Sequence, residues 1–111
     1  MNLKNEFQPI RDWAYDRKLY QNSTLEKHYI KLGEEFGELG AAILKNDKFK
    51  IIDSIGDMII VLVNLSEIFG IEVLKKDAIL IGGIEDFINQ AYKEISNRKG
   101  KMINGTFVKD V

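Results

Sequence analysis

The segment from about Phe49 to Phe69 constrains the fold most, because it is apolar on most sides and yet carries acidic residues. Its one polar stripe contains Asp53, Asp57 and Asn64, which lie within about 40° of one another on a helix that advances 100° per residue. A helix this apolar is largely buried, and unpaired buried carboxylates are costly. The two aspartates therefore require cations or hydrogen-bond donors close by.

Helix is preferred to strand for this segment because of its length. The run Met58 to Val63 is rich in Ile and Val and alone would suit a β-strand. The apolar stretch continues on both sides for about twenty residues without a turn signal, which favours a helix. Gly70 is then expected just beyond its C-terminal end.

The preceding segment, from about Leu25 to Leu44, is predicted to be a helix with an acidic stripe of its own. The charged residues within an arc of about 100° on this helix are Lys31, Glu34, Glu35 and Glu38. If the two helices pack antiparallel across the loop 45–48, the acidic stripes face each other. Carboxylates gathered in this way repel without a multivalent cation, and all-oxygen ligation selects Mg²⁺, with Mn²⁺ as a substitute.

Simpler interpretations of the two stripes remain open. The glutamates also fit an exposed helix face, and the aspartates also fit helix capping or salt bridges to lysines. A di-iron site is disfavoured, because it uses Glu-x-x-His pairs and the only histidine, His28, has Leu25 three positions before it. His28 is expected to be a surface or packing residue.

The remaining pattern predicts an all-α bundle of four or five helices. Apolar spacings of three and four predict a first helix within Asn5 to Tyr20. Ser23 or Thr24 is expected to cap the next helix, and Ser23-x-x-Glu26 has the form of a capping box. The apolar stripe from Leu74 to Ile95 predicts a last helical segment, kinked or split at Gly82-Gly83. Residues 97–111 are polar and basic and are expected to form a tail.

Length and composition narrow the class of protein. The chain has 111 residues, no cysteine and a formal net charge of −1. We therefore expect one domain over residues 1–111, completed by assembly into a homodimer or homotetramer. A near-neutral charge argues against binding of long nucleic acid. The longest unbroken apolar run is far shorter than the ~18 residues of a membrane span, and the N-terminus lacks a signal-peptide pattern, so a cytoplasmic location without membrane contact is expected.

The acidic motifs resemble those of the MazG-like all-α nucleoside triphosphate pyrophosphohydrolases. Residues 31–39 read KLGEEFGEL and residues 53–57 read DSIGD, followed by Asn64. The family signature is Glu-Glu-x-x-Glu, a spacer, and Glu-x-x-Asp. Trp13-Ala14 and the ending from Glu94 to Lys109 are also similar, so the resemblance covers nearly the whole chain. One position departs from the signature: Ser54 stands where the family has the second glutamate.

The resemblance implies a role for each matching residue. Glu35, Glu38 and Asp57 would ligate Mg²⁺, and Glu34 would ligate an ion or position the attacking water, with Glu34 or Glu35 as the catalytic carboxylate. Asp53, which lies four residues before Asp57, is expected to take the place of the missing glutamate. The expected substrate-binding residues are Trp13, Lys31, Asn64, Arg98, Lys99, Lys101 and Lys109.

The resulting hypothesis is a Mg²⁺-dependent enzyme that hydrolyses (deoxy)nucleoside triphosphates to the monophosphate and pyrophosphate, clearing unwanted nucleotides from the pool. One alternative is a pyrophosphatase with a narrow choice of substrate, of the dUTP or dCTP type. Another is a non-catalytic helical module that binds a protein partner, as an antitoxin does. The Ser54 departure is the feature that favours this last alternative.

Overall fold

The computed structural model describes residues 4–73 and 83–110. Within these ranges it has five helices and one β-hairpin, which confirms the predicted all-α bundle of four or five helices. The elements are α1 (Lys4–Asp16), α2 (Leu19–Asn22), α3 (Leu25–Leu44), α4 (Lys48–Glu72), α5 (Ile84–Ser96), β1 (Gly100–Ile103) and β2 (Thr106–Lys109).

The helices α3 and α4 form the central hairpin and share the most extensive helix contact in the described chain. The three-residue connection lets α4 return alongside α3, and Asn46 takes a left-handed conformation there, with φ of 54°. Asp47 caps α4 by accepting a hydrogen bond from the Lys50 amide at 3.1 Å. The antiparallel pairing predicted for the two acidic helices is therefore present.

The ends of these two helices differ in detail from the prediction. Thr24 is the N-cap of α3, since its hydroxyl accepts from the Lys27 amide at 3.2 Å. Ser23 instead pairs with Nδ1 of His28 at 2.9 Å, so the Ser23 capping box is not formed. The prediction that α4 ends before Gly70 was wrong, because the helix continues to Glu72.

The predicted first helix is broken near its end. Lys18 adopts a left-handed conformation with φ of 58°, which separates α1 from the short α2. The break lets Tyr20 turn back into the bundle, where it packs with Ala14 and Ile68 in a buried cluster. A second buried cluster joins Phe7 of α1 to residues of α4 and α5.

A buried ionic group also ties α1, α4 and α5 together. The Arg11 side chain is 7% exposed and forms a two-pronged pair with the Glu85 carboxylate, including a hydrogen bond of 2.8 Å from Nη1. Its Nε lies 3.7 Å from Glu67 and donates to Gln8 at 3.0 Å. Burial raises the pKa of Glu67, the Arg11 charge opposes that rise, and Glu85 adds to it. Helix α5 is therefore anchored at its first turn.

The C-terminal part of the chain is more ordered than a tail. Residues 74–82, with Gly82 and most of the predicted kink region, lie outside the described residues, and Gly83 is the N-cap of α5 with φ of 80°. Residues 100–109 form an antiparallel hairpin that pairs Gly100 with Lys109 and Met102 with Phe107. Asn104 and Gly105 have φ of 51° and 80°, the conformation of a two-residue primed turn, for which Asn-Gly is the preferred sequence.

Large apolar side chains remain uncovered on the α3–α4 pair. Phe36 is 67% and Phe49 is 87% exposed. Helix α4 is long and apolar enough to cross a membrane by length and composition alone, and 28% of its most apolar window is buried. The predicted burial of α4 on most sides is therefore not reached within the described residues.

Candidate functional site

The inward-facing glutamate of α3 is Glu35. Glu35 lies on the face of α3 that also buries His28 and Ala42, at spacings of seven residues. Its side chain is 9% exposed, and its Oε1 lies 3.4 Å from Nζ of Lys31. Lys31 also approaches Glu34 at 3.7 Å, and these two glutamates raise the pKa of Lys31.

The second oxygen of Glu35 lacks a partner. Oε2 is buried and accepts no hydrogen bond within the described part of the chain. A buried, unpaired carboxylate oxygen carries the full cost of its lost hydration. Lys31 therefore compensates Glu35 only in part, and the remaining oxygen is available to a cation or a hydrogen-bond donor.

Asp57 of α4 interacts electrostatically with Glu35 of α3. Burial raises the pKa of Asp57, and the negative charges of Asp53 and Glu35 raise it further. Lys50 and Lys31 lower the same pKa, but they do not cancel the rise. Charged groups from both helices thus act on Asp57 together, as expected if the two acidic stripes meet across the α3–α4 pair.

The carboxylates are not arranged as a finished metal cage. Among residues 4–73 and 83–110, no three acidic or histidine side chains are close enough together to hold a metal ion in this conformation. Glu34 and Glu38 are exposed, and Asp53 is exposed one turn before Asp57. The carboxylates nevertheless suit a hard cation, because all their ligand atoms are oxygens. Their negative charges outnumber the positive charges of the nearby Lys31 and Lys50, and Oε2 of Glu35 has no hydrogen-bond partner in the described structure.

Ser54, the position that departs from the expected signature, is fully buried between the helices. Its relative exposure is 0%, and its Oγ has no hydrogen-bond partner in the described structure. The neighbouring Asp53 is exposed instead. A side chain at position 54 therefore points into the packed interior, whereas position 53 faces outward. The role expected of Asp53 stays a prediction, and Asp53 would have to fill it from a different direction.

Two predicted substrate-binding residues lie elsewhere on the bundle. Asn64 is 3% exposed, and its Oδ1 accepts a hydrogen bond of 2.6 Å from the Tyr20 hydroxyl, so it joins α2 to α4. Trp13 is 49% exposed on α1, and the Arg17 guanidinium covers its ring at 4.3 Å. Contact of either residue with a sugar or base stays a prediction.

The predicted basic residues lie at the end of α5 and on the β-hairpin. Arg98 pairs with Glu94 at 3.4 Å, and Lys99, Lys101 and Lys109 are all exposed. No described ion pair joins these lysines to a carboxylate of α3 or α4. In the described part of one chain, the basic end is therefore not paired with the acidic helices.

One residue that acts on this site was not singled out from the sequence. Lys50 lies three residues before Asp53 and seven before Asp57, which places it on the same side of α4, and its charge lowers the pKa of Asp57. The spacing of Lys50 from the two aspartates could have identified it from the sequence. Lys50 and Lys31 thus supply one cation from each helix at the acidic face.

His28, buried one turn before Lys31, gives a prediction for pH dependence. Burial lowers its pKa, and the charge of Lys31 lowers it further. The unfolded chain therefore takes up a proton more readily than the folded chain, so the stabilising effect of neutral His28 is complete above about pH 6.5 and is lost as the pH falls below that value. Denaturation between pH 8 and pH 5 should show this loss, and His28→Gln should flatten the curve near pH 6. Parallel curves for the two proteins would contradict the assignment.

Comparison with known proteins gives two matches. The sequence model of the phosphoribosyl-ATP pyrophosphohydrolase family matches residues 2–77. An uncharacterized 18.2 kDa protein in the rep-hol intergenic region of Haemophilus phage HP1 (strain HP1c1) is 46% identical over 66 residues, which are 60% of this chain and 40% of that protein. The chain thus matches well under half of the length of this relative. No solved structure matches the chain significantly.

Proposed function

This chain belongs to the phosphoribosyl-ATP pyrophosphohydrolase family, and from that premise we propose that it hydrolyses (deoxy)nucleoside triphosphates to the monophosphate and pyrophosphate with Mg²⁺. The family lies within the MazG-like all-α superfamily, and membership supports the proposal of pyrophosphohydrolase activity on a nucleotide-like substrate. The triphosphate substrate, a role in clearing the nucleotide pool and kinship with MazG itself are the finer parts of the proposal.

Two observations on neighbouring helices carry the proposal together. Oε2 of Glu35 is buried without a hydrogen-bond partner in the described structure, and the pKa of Asp57 is raised by burial and by the charges of Asp53 and Glu35. A purely structural acidic face would leave its carboxylates in solvent or pair them with lysines. Here Oε2 of Glu35 is buried and accepts no hydrogen bond from a described residue. The Asp57 carboxyl group is repelled by the negative charges of Asp53 and Glu35. Such an arrangement favours a bound cation, and perturbed carboxyl groups of this kind concentrate at functional sites.

Glu35, Glu38, Asp53 and Asp57 are the residues proposed to hold Mg²⁺, with Mn²⁺ as a substitute. When bound, the ion would polarise the phosphoryl oxygens and lower the pKa of a water molecule. Glu34, exposed at the edge of the same face, would orient that water or accept its proton. Lys31 would exchange part of its pairing with the glutamates for contact with a phosphate, as a point charge.

The remaining substrate contacts are proposed from the same resemblance. Arg98, Lys99, Lys101 and Lys109 would meet phosphates, while Asn64 and Trp13 would meet the sugar or base. Asn64 must then do so while bonded to Tyr20. The exposed apolar faces of α3 and α4 support a homodimer or homotetramer, and the proposed location is the cytoplasm.

The proposal is tested by incubating the protein with Mg²⁺ and a nucleotide panel. The panel contains the common ribo- and deoxynucleoside triphosphates, dUTP, dCTP, the corresponding diphosphates and phosphoribosyl-ATP. We expect pyrophosphate and a monophosphate from several triphosphates, and none with excess EDTA. Turnover of dUTP or dCTP alone would favour the enzyme of narrow specificity, and turnover of phosphoribosyl-ATP alone would replace the proposed substrate class.

Calorimetry separates an enzyme from a non-catalytic binding module. The enzyme is expected to bind a slowly hydrolysed nucleotide analogue only together with Mg²⁺, because the ion links carboxylates to phosphates. A module that binds a protein partner would show heat from neither component. Ser54, which is buried and whose Oγ has no hydrogen-bond partner in the described structure, is compatible with an enzyme and with a binding module. The heats of Mg²⁺ and nucleotide binding therefore decide between the two.

A further inference from the structure

The C-terminal hairpin is well formed, but none of its strand residues is buried against the other described elements. All eight strand residues are exposed, although Met102 lies opposite Phe107 and Lys101 opposite Val108. Gly100 lies against the Phe107 ring, and an added Cβ would collide with that ring and with the Val108 carbonyl oxygen. An isolated two-stranded hairpin is marginally stable in water, so these apolar residues call for a surface to cover them.

Within the described structure, the α3–α4 pair has an uncovered apolar stripe. Tyr29, Phe36 and Ile43 recur every seven residues on α3, and they are 72%, 67% and 56% exposed. The two aromatic residues alone leave roughly 280 Å² open, about a third of the ~800 Å² per partner that a standard interface buries. Ile52, Ile55 and Ile59 extend the apolar stripe on α4.

The acidic residues of the α3–α4 pair lie on a different side of α3 from the exposed Phe36. On α3, Lys31 and Glu38 lie more than 100° around the helix from Phe36. On α4, Asp53 shares its face with the exposed apolar residues Phe49 and Ile60, four positions before it and seven after it. A surface that is both apolar and acidic therefore borders the proposed site.

The hairpin is complementary to this mixed surface. It presents Met102 and Phe107 on one face with Lys109 beside them, and Lys101 on the other. The helices carry Glu34, Glu35, Glu38, Asp53 and Asp57 against the two nearby lysines, Lys31 and Lys50. Opposite charges and matching apolar groups are thus present on two parts of the chain, and no ion pair joins these parts among residues 4–73 and 83–110 of one copy.

We infer that the hairpin of one copy packs over the Phe49–Asp53–Ile60 face of a second copy, so that each site contains carboxylates from one chain and Lys109 from the other. Met102 and Phe107 bury Phe49 and Ile60 of the other chain, while Lys109, which lies on the same face of the hairpin, approaches its carboxylate site. The role of Lys109 toward substrate phosphates rests on the proposed function. The exchange of the hairpin between copies does not.

Mixing two inactive variants tests the exchange through activity. Asp57→Asn removes a carboxylate, and Lys109→Glu reverses the charge on the packed face of the hairpin; each is expected to lose activity alone. After joint unfolding and refolding in equal amounts, half of the dimers are mixed and each mixed dimer has one intact site, so about one quarter of the wild-type activity should return. No recovery, or an active charge-reversed variant, would overturn the inference.

Cross-linking tests the exchange without any activity. Because the natural chain has no cysteine, Asp53→Cys, Lys101→Cys and Lys109→Cys can each be made as the only thiol in a chain. With Lys109→Cys as the hairpin thiol, because Lys109 lies on the packed face and Lys101 does not, oxidation of its mixture with Asp53→Cys should give a covalent dimer. Asp53→Cys mixed with Lys101→Cys is the matched control and should link poorly, and Asp53→Cys and Lys109→Cys placed in one chain should link between chains rather than within one. A link only within the chain, or no dimer from the mixture of Asp53→Cys with Lys109→Cys, contradicts the exchange. A covalent dimer without pyrophosphate release from the wild type would reject the proposed function alone.

Discussion

Asp57→Asn should reduce pyrophosphate release by a factor of at least ~100, the scale of losing one electrostatic stabiliser in a catalytic site. The substitution keeps the shape of the side chain but removes a charge that Glu35 and Asp53 already oppose. Glu38→Gln should have a similar effect. Steady-state assays with Mg²⁺ would measure the loss.

The same substitution should increase stability when no metal is present. Asp57 has a raised pKa because burial and two like charges disfavour its ionised form, and asparagine removes that repulsion. Thermal unfolding in EDTA should therefore show a higher Tm for Asp57→Asn than for the wild type. Glu72→Gln, an exposed carboxylate at the end of α4, is the matched control and should change neither activity nor Tm appreciably. Unchanged turnover in Asp57→Asn or Glu38→Gln would reject the site.

Arg11→Met should destabilise the fold by about 3–5 kcal/mol, the usual cost of removing one partner of a buried ion pair. The substitution removes the guanidinium that pairs with both Glu67 and Glu85. The free energy of unfolding by urea would measure the loss. Because α5 is held at its first turn by this group, we also expect proteolysis of the chain beyond α4 to accelerate.

Arg17→Met provides the control for Arg11→Met. Arg17 is exposed and covers Trp13, so its loss should cost no more than about 1 kcal/mol. If Arg11→Met does not fold, Glu85→Gln retains the hydrogen-bonding shape and should show a smaller loss of the same kind. Equal stability of the Arg11 and Arg17 variants would show that the buried group does not hold the helices together.

Features that depend on local pattern could be predicted from the sequence. The bounds of α3 follow from its apolar period and a capping residue at Thr24. The antiparallel packing of α3 against α4 follows from their helical spacing and a short connection, because such a pair leaves few other arrangements. The hairpin was missed although Asn104-Gly105 is its strongest local signal, since the basic composition of residues 97–111 suggested a tail.

Features that depend on distant partners could not be predicted in this way. Arg11 meets Glu67 and Glu85, which are 56 and 74 positions away in the chain, and no period or motif links the three. Asn64 aligns with the aspartates on α4, but its partner Tyr20 reaches it only because the chain breaks at Lys18. Helical spacing places a side chain on a face, whereas the packing of other helices decides whether that face meets substrate or core.

The central claim is that the acidic face of α3 and α4 hydrolyses a nucleotide pyrophosphate bond with Mg²⁺. Its most direct measurement is ³¹P NMR of a nucleoside triphosphate incubated with the wild-type protein, with Mg²⁺ and with EDTA. The account predicts that pyrophosphate and the monophosphate appear together in equal amounts, only with Mg²⁺, and not with Asp57→Asn. Release of orthophosphate and diphosphate instead, or the same products from Asp57→Asn at the wild-type rate, would contradict it.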